Sequence, residues 1–333
     1  MTSISRRGVL ALGAGVVAGV AGCTSSARHP TATASSPPSS SARPSPTLTH
    51  PGTRPSPSAS ALHVTAPWRP SPNDIQPEVK LRAVRLIEAL GTWPLGGQGV
   101  DAARKRAAAA GYDPALADQA GGLLTGAPQA AVQVLEAQYG GILSDSASVL
   151  VVCRQYTPGN DTGGTTVDVR LSAAKPVWNV TALHPAVPGP PASSLSGAAR
   201  AVLADVEAIT LPPAAHADVL SGNVHDSALN AMLTLARSHR IMLSVVRSGH
   251  PIYVFGTNRP SDHPMGRAFD VWTIDGHAVI DPATPRSLVE SFMRAAAAAG
   301  SYNVGGPYLL PGAGNQFFSD DTHHDHVHVG FDF

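Results

Sequence analysis

The chain has 333 residues and equal numbers of acidic and basic side chains, 23 of each, so its formal charge is zero. Its Lys and Arg are scattered, which excludes a nucleic-acid surface, because that needs clustered cations. Aromatics are only 5% while Gly and Pro are abundant, so part of the chain lies outside any packed core; the length allows two domains, and Cys23 and Cys153 are too few for a disulfide framework.

The N-terminus opens with a positive segment around Arg6-Arg7, followed by a mildly apolar, Ala- and Gly-rich run from Val9 to Gly22. That run is too short and weak for a membrane span of about 20 residues. With Val20-Ala21-Gly22 directly before Cys23, it resembles a bacterial lipoprotein signal over 1–23, which implies lipidation at Cys23, export, and a lipid-anchored location at the cell membrane. The arginine pair also resembles a twin-arginine export signal. An ordinary signal peptide with a chance cysteine is the alternative. Residues 24–72 are Ser, Pro, Thr and Ala without apolar periodicity. They read as a disordered tether, with an extended reach on the order of 150 Å at about 3.1 Å per residue. Lipidation leaves Cys153 as the remaining thiol, in the strand-like run Ser148 to Cys153, where a buried, inert role is expected.

Order is expected from about Asn73. A small α+β module over 73–185 begins with an amphipathic helix carrying Leu81, Val84, Ile87 and Leu90 before Gly91. A second helix spans Asp101 to Ala110, and a third Pro128 to Tyr139, stopped by Gly140-Gly141. Strands follow at Val149 to Tyr156, Thr166 to Leu171 and Val177 to Leu183, the first two joined by the turn-rich Pro158 to Gly164. This module shows no catalytic cluster, and His184 reads as a surface histidine. Pro185 to Gly197 is Pro- and Ser-rich and marks a boundary. A second domain over 198–333 then starts with a helix from Ala198 to Ile209. Asp226 is placed to cap another, whose Leu229, Met232, Leu233 and Ala236 share one face. Strands are expected at Ile241 to Val246, Ala268 to Ile274 and Val327 to Phe331. Asp275-Gly276 is a hairpin turn to His277–Ile280, and Leu288, Val289, Phe292 and Ala296 mark a last helix before Gly300.

The chemistry concentrates in two segments of this second domain. Ser261 to Asp270 places an imidazole, His263, and a carboxylate, Asp270, on either side of Gly266. Asp270 sits in an apolar run, where an unpaired carboxylate is costly unless it binds a partner or a metal. Thr322 to Gly330 supplies His323, His324, Asp325, His326 and His328; on a strand, His326 and His328 face one way and Val327 and Val329 the other. Two His and one carboxylate with an open fourth position are a catalytic zinc set.

Taken together, Ser-x-His-x-x-Gly-x-Ala-x-Asp and Asp325-His326-x-His328 resemble the D-alanyl-D-alanine carboxypeptidase family of zinc peptidases. That family shares its fold with the vancomycin-resistance dipeptidases and the amino-terminal hedgehog domain. The likeness spans about 229–333. It implies an α+β fold with a central antiparallel sheet, and Zn2+ held by His263, Asp270 and His328. It makes Asp325 the general base and Arg247 the cation over the substrate carbonyl, with Arg259 and Arg267 as rivals, and Ser261 a lining residue. On a straight strand Asp325 and His328 point oppositely, so Asp325 must lie in the loop before the strand or be turned by a bulge; otherwise His326 is the base. The implied activity is carboxypeptidase or endopeptidase hydrolysis of peptidoglycan stem peptides. A zinc-containing wall-binding or regulatory lipoprotein without turnover is the alternative from another class. A two-metal phosphoesterase would need more carboxylates.

Overall fold

The structure, a computed structural model, describes residues 62–314 and 316–333. The lipoprotein signal expected over 1–23, with Cys23, and residues 24–61 of the expected tether lie outside these. Residues 62–72, which composition assigns to the tether, lie against the fold. The His63 ring stacks on Tyr156 with centroids 4.2 Å apart. The backbone of Ala66 exchanges hydrogen bonds of 2.8 and 2.9 Å with the Gln133 amide, and Trp68 packs on the N-terminal core. The rings of His63 and Trp68 and the backbone of Ala66 anchor a segment that shows no apolar periodicity.

In the N-terminal half, α1 (Pro77–Gly91) buries Val79, Lys80, Ala83, Val84, Leu86, Ile87 and Leu90. The stripe is therefore offset from the expected one: Leu81 is half-buried, and a lysine occupies the apolar face. α2 (Val100–Ala109) ends before Gly111, whose φ is 78°. Four strands follow, β1 (Ala131–Ile142), β2 (Ser146–Tyr156), β3 (Gly164–Ser172) and β4 (Asn179–Pro185). They form one antiparallel sheet in chain order.

The helix expected over 128–139 is thus a strand. Its Ala, Gln, Leu and Glu favour a helix weakly, but pairing with β2 from Ala131↔Tyr156 to Ile142↔Ala147 overrides propensity. Gly140-Gly141 lies inside the strand rather than stopping it. A Cβ on Gly141 would sit 2.1 Å from Cβ of Phe255, so the missing side chain lets the 250–260 loop rest on β1. Cys153 is buried in this half, and burial pushes its thiol up to about 11, the inert state expected. His184 is exposed.

The C-terminal half contains α3 (Gly197–Ala204), β5 (Ile209–Thr210), α4 (Pro213–Leu220), α5 (Asp226–Ala236), β6 (Ile241–Leu243), β7 (Ala268–Ile274), β8 (His277–Ala278), α6 (Arg286–Ala298), β9 (Asn303–Gly305), β10 (Phe317–Phe318) and β11 (Val327–Gly330). The sheet runs β10-β9-β11-β7-β6-β5, with β8 paired to β7. Its inner pairs are antiparallel, and the outer pairs, β10 with β9 and β5 with β6, are parallel. The architecture is mixed α+β. The helix foreseen over 198–209 stops at Ala204 and hands Ile209 to the sheet. Asp226 opens α5 instead of capping it; its carboxylate accepts from Ser196 Oγ at 2.6 Å. The Asp275-Gly276 turn forms as expected, with φ of 53° and 82°.

Each half has its own apolar core, one from Val79 to Leu183 and one from Ala199 to Phe331. Leu150, Val152 and Val245 form a small cluster bridging them. The described residues belong to one compact unit. Among them, no helix is long and apolar enough to cross a membrane.

Candidate metal centre

The centre begins with strand register. β11 pairs with β7 so that His328 stands directly across from Asp270. Opposed residues share a sheet face with Cβ atoms about 5 Å apart. Their neighbours Phe269, Val271, Val327 and Val329 enter the apolar core on the other face. The pattern that buries this core therefore presents the imidazole and carboxylate together.

His263 arrives from the preceding loop through Gly266. Gly266 has φ 72°, and a Cβ there would lie 2.1 Å from the Asn223 carbonyl oxygen. Only glycine meets both demands. His263 Nδ1 lies 2.8 Å from the Val246 carbonyl oxygen. As an N–H donor there, it leaves the Nε2 lone pair facing the site, the tautomer a metal ligand needs.

Three atoms then converge. His263 Nε2, Asp270 Oδ1 and His328 Nδ1 are each 3.1 Å from the other two. Donors around a tetrahedral zinc, with bonds of about 2.0–2.1 Å, stand roughly 3.3 Å apart. His263, Asp270 and His328 are 0%, 1% and 8% exposed. Burial pushes the Asp270 carboxyl up, but His263 and His326 outweigh it and hold the group well below the usual carboxylate range. Burial also pushes the His328 imidazole down to about 4, so it is neutral near pH 7. The donor set fits a divalent transition metal.

A second layer comes from the N-terminal half, which the sequence had not marked as chemical. Gln138 Nε2 donates to Asp270 Oδ2 at 2.7 Å. Asp325 lies in the loop before β11, one of the two placements anticipated for it. Its oxygens are both engaged: Oδ1 lies 2.5 Å from His326 Nδ1. Oδ2 accepts from Lys80 Nζ at 2.6 Å and from the Tyr139 amide at 3.2 Å. His326 Nε2 is 3.7 Å from Asp270 Oδ1. Lys80 also pairs with Asp74. The buried side chains of Asp74, Glu136 and Asp325 thus surround one buried ammonium, and Asp270 lies on the other side of His326. The excess of negative charge is a further reason for a cation in the centre.

Glu136 makes this excess measurable. Burial, its largest cause, together with nearby Asp325, pushes its carboxyl up to about 7, against an ordinary value of 4.5. The folded protein therefore binds this proton more tightly than the unfolded chain. The stabilisation is full below pH 4.5 and is lost as pH rises through about 7. Glu136→Gln is expected to be more stable than wild type at pH 8 by on the order of 3 kcal/mol. The gap in thermal midpoint, roughly 5–10 °C, should close near pH 4. Parallel melting curves at both pH values check this, and an equal gap at both would remove Glu136 as its source.

The centre opens into a cleft of about 920 Å³ lined by His263, His326 and His328, by Ser261, and by Arg259, His250 and Tyr139 among others. Ser261 is in that lining. Arg247 is not: its guanidinium faces Asp218 at 3.9 Å and donates to the Pro188 carbonyl at 3.2 Å. Of its rivals, Arg267 is tied to Asp332 and Asp262, whereas Arg259 lines the cleft. Asp325 is absent from that lining as well, and His326 is present. His323 reaches the cleft; His324 turns away, its Nε2 accepting from the Ile75 amide at 3.2 Å.

Sequence reasoning missed His250, Gln138 and Lys80. His250 stacks on His263 with centroids 4.1 Å apart, and its ligand atom lies within 4.8 Å of those of His263 and Asp270. Lys80 left one trace, a charge at a helical position aligned with Ala83, Val84 and Ile87. Gln138 left none. No model of a known family, no curated protein and no solved structure matches the chain.

Proposed function

We propose that this chain is a zinc-dependent peptidase of the D-alanyl-D-alanine carboxypeptidase type. It hydrolyses peptide bonds in peptidoglycan stem peptides from a lipid anchor at Cys23. The observation that carries the reading is the triangle of donor atoms from His263, Asp270 and His328, 3.1 Å on each side, at the floor of a cleft. The two sequence motifs that resemble the family supply the substrate class, and the export signal and tether suit a substrate outside the membrane.

Zinc in such a site supplies Lewis acidity and lowers the pKa of water. The chain's own residues do the rest. His263 Nε2, Asp270 Oδ1 and His328 Nδ1 hold the ion, and Gln138 orients Asp270 through its second oxygen. His326 lines the cleft; through Nε2 it takes the proton, then returns it to the leaving amine. Asp325 keeps His326 protonated at Nδ1 and stabilises the imidazolium. Arg259 takes the place beside the substrate first given to Arg247.

The test is digestion of defined muropeptides with a mass-spectrometric readout, using zinc-loaded protein, chelated protein and chelated protein given zinc back. Cleavage that disappears with chelation and returns with zinc is expected. Muropeptides that bind but emerge uncut from zinc-loaded protein would instead favour a wall-binding lipoprotein.

A further inference from the structure

Lys80 projects from α1 to Asp325, 245 positions later in the chain. It is 1% exposed and occupies the apolar face of its helix. As a fastener for the helix this is a poor choice, since well-packed apolar residues hold such positions at least as well as a buried ion pair. Its contacts point to another use. Nζ donates to Asp325 Oδ2 at 2.6 Å and pairs with Asp74, while lying 5.0 Å from the Tyr139 ring centroid. The Tyr139 amide donates to the same Asp325 oxygen. With Oδ2 held by two donors, the carboxylate cannot rotate, and Oδ1 is presented to His326 Nδ1 at 2.5 Å.

We propose that Lys80 is a positioning residue for the reaction at the metal centre: its ammonium locks the Asp325 carboxylate, and through it the ring plane and tautomer of His326. A histidine with Nδ1–H committed to a carboxylate has its Nε2 lone pair free, and here the ring lines the cleft with Nε2 3.7 Å from Asp270 Oδ1. Lys80 and Tyr139 both belong to the N-terminal half, so that half is part of the reaction apparatus. This rests on the peptidase reading, in which His326 moves the proton.

The test uses the full chain carrying Lys80→Met, which preserves side-chain length and removes the charge. Because this leaves Asp74 and Asp325 without their cation, the double variant Lys80→Met/Asp74→Asn is made beside it. Three quantities are read: kcat and KM separately on a muropeptide, zinc per chain, and the low-field proton resonance of the short His326–Asp325 hydrogen bond in metal-free protein. The expected result is a fall in kcat of about 10- to 100-fold, the usual range for residues that orient a metal site. KM and zinc content should stay within about twofold of wild type, well inside that range, and the low-field resonance should be lost or shifted upfield. A folded variant that keeps both its kcat and the resonance overturns the proposal. So does a fall in kcat matched by loss of zinc, or a failure of both variants to fold, which would assign Lys80 to the scaffold. Should wild type cleave no peptide, the peptidase reading fails by itself. The resonance still decides the clamp: its persistence without Lys80 overturns the proposal.

Discussion

On the zinc-peptidase function proposed above, replacing Asp270 with asparagine is expected to empty the metal centre and bring peptide hydrolysis to background while the fold stays intact. Asp270 supplies the only anionic donor of the three atoms that meet at 3.1 Å, and asparagine has nearly the same shape. The amide keeps an oxygen that can accept from Gln138, so β7 loses no packing and its pairing with β11 is untouched. What disappears is the negative charge that a divalent ion requires. Changes to residues that merely orient ligands already cost about 10- to 100-fold in metal affinity, so loss of a charged ligand should exceed that range. Metal analysis should fall from about one equivalent of zinc per chain to a small fraction of that. Backbone circular dichroism should be unchanged. An Asp270→Asn protein that retains both zinc and hydrolysis would show that the triangle is not the centre.

How far this centre was legible from sequence depends on the range of each interaction. The paired strands were readable because a single alternation carries two messages. Phe269, Val271, Val327 and Val329 had to face a core, which left Asp270, His326 and His328 on the other side. Gly266 was readable too, since a tight turn between loop and strand calls for glycine. The second layer was hidden behind an error in secondary structure. With residues 128–139 taken for a helix, Gln138 and Tyr139 had no reason to be placed near Asp270, and only the β1–β2 pairing brings them there. Arg247 was misdirected for a similar reason. Its backbone amide and guanidinium answer to Asp218 on α4, a helix that the sequence had not revealed. Lys80 and Asp325 are a pure long-range pair, and no local pattern joins residues 245 positions apart.

The division of labour that the proposed mechanism gives Asp325 and His326 is tested by comparing two variants. His326→Ala is expected to lower kcat by about 10²- to 10⁴-fold, the range for loss of a positioned general base or acid, with zinc retained. His326 is not one of the three mutually close donors; its Nε2 lies 3.7 Å from Asp270 Oδ1. The ring borders the cleft, so water can fill the space it leaves. Asp325 does not become an orphan charge, because Lys80 Nζ and the Tyr139 amide still hold its Oδ2. Asp325→Asn should act in the same direction but less severely. The asparagine oxygen can still face one neighbour, yet the charge that favours the His326 imidazolium is gone. Burial alone would disfavour that imidazolium, and it is Asp270 and Asp325 that raise the His326 pKa above its usual value. If Asp325 itself carried the proton, as the family resemblance implies, the order would reverse and Asp325→Asn would be the more damaged enzyme. Both oxygens of Asp325 are occupied inside the protein and only His326 reaches the cleft. The expected order is therefore His326→Ala below Asp325→Asn below wild type in kcat, with zinc content equal in all three.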